Sequence, residues 1–281
     1  MKLILCPVDF SKNALIAADF AAALAVRIEA HLIIQHAYDV PAMFTDAPMT
    51  VVRDATKQLH ELSQKKLLRL VNKLKRNHPG LRAEAVSSEG VSYHQIVSFA
   101  DEKGVDLIIV GATGTSKWRR MLVGSTTAKV IRDAHCAVLT VPMNVKFKGF
   151  KKIAYSTDLK EDNIRAASMI IPFATLFDAE ISFVFVDDKH LLHDDLAINK
   201  MTKRIRSSVK YAKISGYIAK DTVVSKGLEK FIKKMKIDLL VLFTHERHFP
   251  ESMFHPSVTR LMSHRVELPL LSLKYTDRPL D

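Results

Sequence analysis

Residues 106–126 read DLIIVGATGTSKWRRMLVGST, an order that implies a strand, a glycine-turned loop and the start of a helix. Leu107, Ile108, Ile109 and Val110 form an apolar run of the length expected for a buried strand. Gly111 and Gly114 follow, then nine residues, then Gly124-Ser125-Thr126-Thr127 at the head of an amphipathic helical pattern. Glycine permits positive φ and lets backbone approach a ligand closely. A helix opening at Gly124 offers unpaired N–H groups and the positive end of its dipole, which favour an anion such as phosphate. The loop contains no Gly-Lys-Ser/Thr, so it is not a Walker A loop, and its glycines are too widely spaced for the dinucleotide fingerprint.

Working outward, the same strand occurs twice. VDLIIVGATG aligns with IDLLVLFTHE, which puts Asp106 on Asp238. KLILCPVDFSKNALIAADFAAALA aligns with KKIAYSTDLKEDNIRAASMIIPFA, which puts Asp9 on Asp158. These landmarks stand 97 residues apart in the first copy and 80 in the second. The shortfall is expected in the loop around Asp39–Thr50 and in part of the helix after it. A twofold repeat over 281 residues implies two related domains, not a solenoid. They are expected at 1–145 and 150–281, with a linker near Met143–Phe150.

Periodicity predicts first-copy strands at 2–8, 30–37, 81–87, 105–111 and 137–142, and helices at 11–29, 50–77, 92–103 and 124–134. In the second copy it predicts strands at 151–156, 179–186, 216–223, 237–243 and 269–275. Ser11 and Ser92 are predicted helix N-caps, and Gly80 and Gly104 suit turns after helices. Short apolar strands alternating with helices imply an α/β fold, here two doubly wound parallel-sheet domains related by internal duplication.

The spacing G-x2-G-x9-G-[ST] resembles the ATP-binding motif of the universal stress protein family. Pro7-Val8-Asp9, closing the first strand, is similar to that family's Pro-Val-Asp segment. The resemblance implies strand order 3-2-1-4-5, with the nucleotide at the carboxyl ends of strands 1 and 4, where the winding reverses. It implies an adenine pocket of Pro7, Val8, Asp9, Ala37 and Val110. It implies a phosphate cradle of Gly111, Thr113, Gly114, Gly124, Ser125, Thr126 and Thr127. The ligand expected is ATP, with AMP or ADP as alternatives and Mg as a companion ion. The family's last strands pair across a pseudo-twofold axis. Ala137–Val141 and Leu270–Leu273 are therefore expected to make an intramolecular pseudo-dimer, with a homodimer of chains as a further option. The role implied is that of a cytoplasmic stress or regulatory protein that senses nucleotide.

The second copy departs from the motif. Gly111 becomes Phe243, Gly114 becomes Glu246, Gly124 becomes Pro256, and Ser125 becomes Ser257. Phe243 adds bulk, Glu246 adds negative charge, and Pro256 has no N–H to donate. One competent nucleotide site is expected, in the first domain. Two other functional classes stay open: an interaction scaffold without nucleotide, and a metal- or small-ligand-binding protein using a histidine loop in the second domain.

Composition bounds the rest. The chain is 48% hydrophobic and 26% charged, with a net charge of +12 spread over both halves. Such charge attracts phosphorylated ligands but lacks the concentrated stripe of a nucleic-acid reader, so no specific nucleic-acid partner is expected. No apolar stretch approaches the ~20 residues of a membrane span. The start, MKLILCPVDF, is too short and too soon acidic for a signal peptide, which together point to the cytoplasm. Cys6 and Cys136 flank an intervening strand, roughly 9–10 Å apart at ~4.8 Å per strand, too far for a disulfide. His245, His248 and His255 with Glu246 match no standard zinc spacing, nor do His190 and His193 beside Asp187, Asp188, Asp194 and Asp195, so no metal site is assigned. The basic run from Lys57 to Arg76 is expected to be the solvated face of a packed helix. Lys117, Trp118, Arg119 and Arg120 lie in the nine-residue arch. No Gly-x-Ser-x-Gly elbow, His-x-Gly-His or Ser-Gly-Gly loop occurs, so no catalytic residue is assigned and slow ATP hydrolysis is the most that is expected.

Overall fold

Strands that are buried on both faces read as unbroken apolar runs, and Leu3–Pro7 and Leu107–Gly111 are of this kind. In the computed structural model both lie inside parallel sheets. The structure describes residues 1–38, 48–112, 125–157, 159, 163–189, 195–244 and 268–274. The chain divides into two compact units, the division falling between Phe147 and Lys148 in the sequence.

The first unit runs β1 (Leu3–Pro7), α1 (Lys12–Arg27), β2 (His31–Tyr38), α2 (Met49–Asn77), β3 (Arg82–Glu89), α3 (Ser92–Lys103), β4 (Leu107–Gly111), α4 (Ser125–Asp133) and β5 (Ala137–Val141). Its strands pair in parallel in the order β3-β2-β1-β4-β5, with Leu5 opposite Ile33 on one side and Ile108 on the other. The second unit runs β6 (Lys152–Ser156), α5 (Asn163–Thr175), β7 (Glu180–Asp187), α6 (Leu196–Ser208), β8 (Ile214–Lys220), α7 (Val224–Met235), β9 (Leu239–Thr244) and β10 (Leu270–Lys274). Its parallel order, β8-β7-β6-β9-β10, repeats the first, so the expected 3-2-1-4-5 winding is present twice.

Small side chains bring α1 close to the first sheet. Ala17, Ala18, Ala21, Ala22, Leu24 and Ala25 on this helix are fully buried. Ser11 caps it, its side chain accepting from the Ala14 N–H at 3.3 Å, as predicted. Ser92 is not a cap. The N-cap of α3 is Val91, with no side-chain bond, and Ser92 is the first helical residue. Gly104 ends α3 in the left-handed region at φ 65°, where a Cβ would be strained. Cys6 and Cys136 are both buried and form no disulfide, and burial pushes the Cys6 thiol up to about 12.

The length difference between the copies sits in one element. α2 has 29 residues and α6 only 13. The connections leading to them, 39–48 and 188–195, are of similar length, so the loop contributes little of the shortfall assigned to it. Of the apolar residues in the basic stretch of α2, Leu67, Val71 and Leu74 are buried, whereas Leu62 is exposed. The strand predicted at 216–223 occurs at Ile214–Lys220. It stops there because Asp221 folds back, its carboxylate accepting from the Val223 N–H at 3.1 Å.

Duplication is visible in backbone detail. The Asp106 carboxylate accepts from the Lys2 and Leu3 N–H groups at 2.6 and 2.9 Å. Asp238 does the same for Lys151 and Lys152, at 2.8 and 3.1 Å. Burial holds the Asp238 carboxyl above its usual range, against the pull of those N–H donors. Glu29 and Asp178 both take positive φ, 58° and 53°, one residue before an equivalent buried alanine.

Candidate functional site

β1 and β4 are neighbours, yet the chain leaves them toward opposite sides of the sheet, since β1 leads to β2 and β4 to β5. A crevice opens at the carboxyl ends of two such strands. Here it is a cavity of about 300 Å³. Eight of the predicted site residues line it: Pro7, Val8 and Asp9 after β1, Ala37 on β2, Val110 and Gly111 on β4, and Thr126 and Thr127 on α4. Ser125 is the first residue of α4, so the helix begins beside the cavity. Thr113, Gly114 and Gly124, with the arch that holds Trp118, lie outside the described residues.

The walls divide by polarity. Val8, Val110, Ile96 and Val130 are buried and apolar, while Asp9, Ser11, Asn13, Ser92 and Thr126 supply polar groups. Asp9 makes a local turn, its Oδ1 accepting from the Ser11 N–H at 2.9 Å. The Val8 backbone is already engaged. Its N–H donates to Gln35 O at 2.7 Å, and its carbonyl accepts from His36 Nδ1 at 2.7 Å. A carbonyl only accepts, so the His36 proton is on Nδ1 and Nε2 is left as the acceptor of the neutral ring. Phe10 packs on His36 with ring centroids 4.7 Å apart.

Gly111 also packs against α1, a constraint that its sequence position does not announce. A Cβ built there would lie 2.7 Å from the Asn13 carbonyl oxygen and 2.9 Å from its carbon, a clash with the backbone of α1. The glycine admits the first turn of α1 against the end of β4, and Asn13 Nδ2 then donates to the Ala112 carbonyl at 3.0 Å. Asn13, His36, Ser92 and Ile96 belong to no motif, and only the register of β2 and the packing of α1 and α3 bring them to the cavity. The only signal for His36 was its place beside Ala37.

Among the described residues, bulkier side chains stand at the equivalent place in the second unit. Val186 stands in the register position of Ala37 and belongs to a buried cluster with Leu228, Phe231 and Leu240. A Cβ on Gly227 would lie 2.6 Å from Val186 Cγ1. Phe243, in the position of Gly111, meets the Tyr155 ring edge-on at 5.8 Å. Asp158, His190, His193, His245, Glu246, His248, His255, Pro256 and Ser257 lie outside the described residues. Among the described residues, no three His, Cys, Asp or Glu side chains are grouped so as to hold a metal ion. Among the same residues, no helix is long and apolar enough to cross a membrane.

A twice-repeated, doubly wound α/β unit, with a cavity at the switch point of its first copy, defines the class as that of doubly wound parallel-sheet folds with a crevice at the strand ends. Comparison with known proteins makes this specific. The model of the Universal stress protein family matches residues 1–142, and the chain belongs to that family. It is 33% identical over 140 residues to a universal stress protein of Methanocaldococcus jannaschii, spanning 50% of this chain and 81% of that one. It is 29% identical over 143 residues to a universal stress protein of Synechocystis, spanning 50% of this chain and 85% of the other. The crystal structure of a universal stress protein from Archaeoglobus fulgidus superposes with a TM-score of 0.73 at 13% identity. That superposition covers 97% of this chain and 98% of the other, a likeness of fold alone.

Proposed function

We infer that the first unit binds an adenine nucleotide, ATP foremost with AMP or ADP as alternatives, and that the chain is a cytoplasmic stress or regulatory protein that senses it. Residues 1–145 would be the binding domain and 150–281 a divergent partner domain without a nucleotide site. The observation that carries this is the convergence of Pro7, Val8, Asp9, Ala37, Val110, Gly111, Thr126 and Thr127 on one cavity. Its buried valines and isoleucine suit a base. Asp9 and the hydroxyls suit a ribose, and the start of α4 suits phosphate. When bound, the nucleotide would supply charge and bulk beside α4, and Mg would accompany its phosphates. In this reading the nucleotide is sensed, with slow hydrolysis the most that is expected.

Calorimetric titration of the full chain should give about one ATP per chain. Ala37→Phe should abolish binding by filling the base side of the cavity. Gly114→Glu, which copies the second unit's residue, should do the same by placing charge beside phosphate. Trp118 is the single tryptophan, so its emission reports on the arch without ambiguity. Two equal sites, or undiminished affinity in both variants, would overturn the assignment.

A further inference from the structure

A second, larger cavity of about 670 Å³ lies elsewhere in the first unit, between α1, α2 and the segment that follows β5. Its floor is aliphatic: Leu15, Ile16, Leu70, Leu74, Met143 and Val145. Two ties bracket it. His78 Nε2 meets Asp19 Oδ1 at 2.8 Å, joining the end of α2 to α1. Phe147 packs edge-on against the buried Phe20 of α1, with centroids 5.2 Å apart, and so holds residues 143–147 beside that helix. The third wall is therefore built by packing.

Lys12, Lys73 and Lys146, all three exposed, also line it. Among the described residues none of the three takes part in an ion pair. The one acid in the lining, Asp19, is already bonded to His78. Leu15 keeps 38% of its surface exposed in this floor, so apolar area is available to a ligand. An apolar trough with uncompensated positive charge at its edge matches an amphipathic anion. No aromatic ring lines the trough, so nothing favours a flat ring system, and branched aliphatic walls accept a flexible chain. The volume falls within the range of about 300–1,000 Å³ usual for small-molecule sites.

We propose that this cavity binds a free fatty acid, its alkyl chain lying along Leu15, Leu70, Leu74 and Val145 and its carboxylate held by Lys73 and Lys146. The site is separate from the crevice at β1 and β4 and does not depend on nucleotide binding there. Titration of the full chain with cis-parinaric acid, a fluorescent fatty acid, should saturate at one probe per chain. Dodecanoate should displace the probe, dodecanol should do so at least ~10-fold less well, and ATP should leave it bound. The exposed pair Lys73→Glu/Lys146→Glu should weaken binding by ~10-fold or more with an unchanged melting temperature. Ile16→Trp, which fills the trough, should abolish binding while circular dichroism stays native. Absence of saturable binding, equal competition by dodecanol, displacement by ATP, or wild-type affinity in the lysine pair would each overturn the proposal.

Discussion

Gly111 was singled out for one reason and is held to glycine by another. Its place after an apolar strand suggested backbone approach to a ligand. The structure adds that α1 approaches it, with the Asn13 carbonyl only 2.7 Å from where a Cβ would be. Neither backbone can yield easily, so Gly111→Ala is expected to destabilise the fold by about 1–3 kcal/mol, as overpacking does. Urea unfolding checks this: a lower midpoint with an unchanged slope is expected, and an unchanged midpoint would remove the packing role. Pro7, Val8, Val110 and Gly111 were legible because each ends a strand that the apolar pattern already delimits. His36 and Ser92 were not, because parallel register and the crossover of α3 bring them to the cavity, and no local pattern encodes either. Ser92 was even assigned a different task, capping, on the strength of its residue type.

At the scale of elements, long periodic runs were the most legible and their ends the least. The apolar positions of α2 continue without a break, so nothing in its sequence announced that this helix carries most of the length difference between the copies. The end of β8 was overrun because Asp221 was not recognised as a turn residue. Its carboxylate accepts from Val223 N–H and also from Lys230 Nζ at 2.7 Å, and these bonds hold it below the usual carboxylate range. A lowered folded-state pKa adds stability that is present above the unfolded value, about 3.9, and is lost as pH falls through the folded one. The stability gap between wild type and Asp221→Asn should therefore be widest near neutral pH and shrink on acidification. Chemical denaturation at a series of pH values tests it, and a gap that widened in acid would reverse the assignment. Asp238 has the opposite sign, since burial raises it, so its contribution fades as pH rises.

For the molecule as a whole, the duplication was legible because the apolar strands and the two paired aspartates survive in both copies. What both copies share is a scaffolding bond. The bonds from Asp106 and Asp238 to the starts of β1 and β6 are retained, while Ala37 gives way to Val186 and Gly111 to Phe243. The place of Val186 could not be read from the glycine loop alone, because it depends on Gly227 receiving that side chain. The bond from Lys2 to Asp106 spans 104 residues, and β1 gains its second neighbour only at Leu107. A fragment ending at Asp101 should therefore stay protease-sensitive, whereas one ending at Phe147 should resist digestion. Equal sensitivity of the two would show that β4 is not what completes the sheet. During synthesis the consequence is a delay set by the fold. As the chain leaves the ribosome, its first strand waits with one side open until more than a hundred residues have been made, and the second copy then imposes a similar wait of its own. In those intervals the nascent protein offers bare strand edges, and holding chaperones would find it most receptive then.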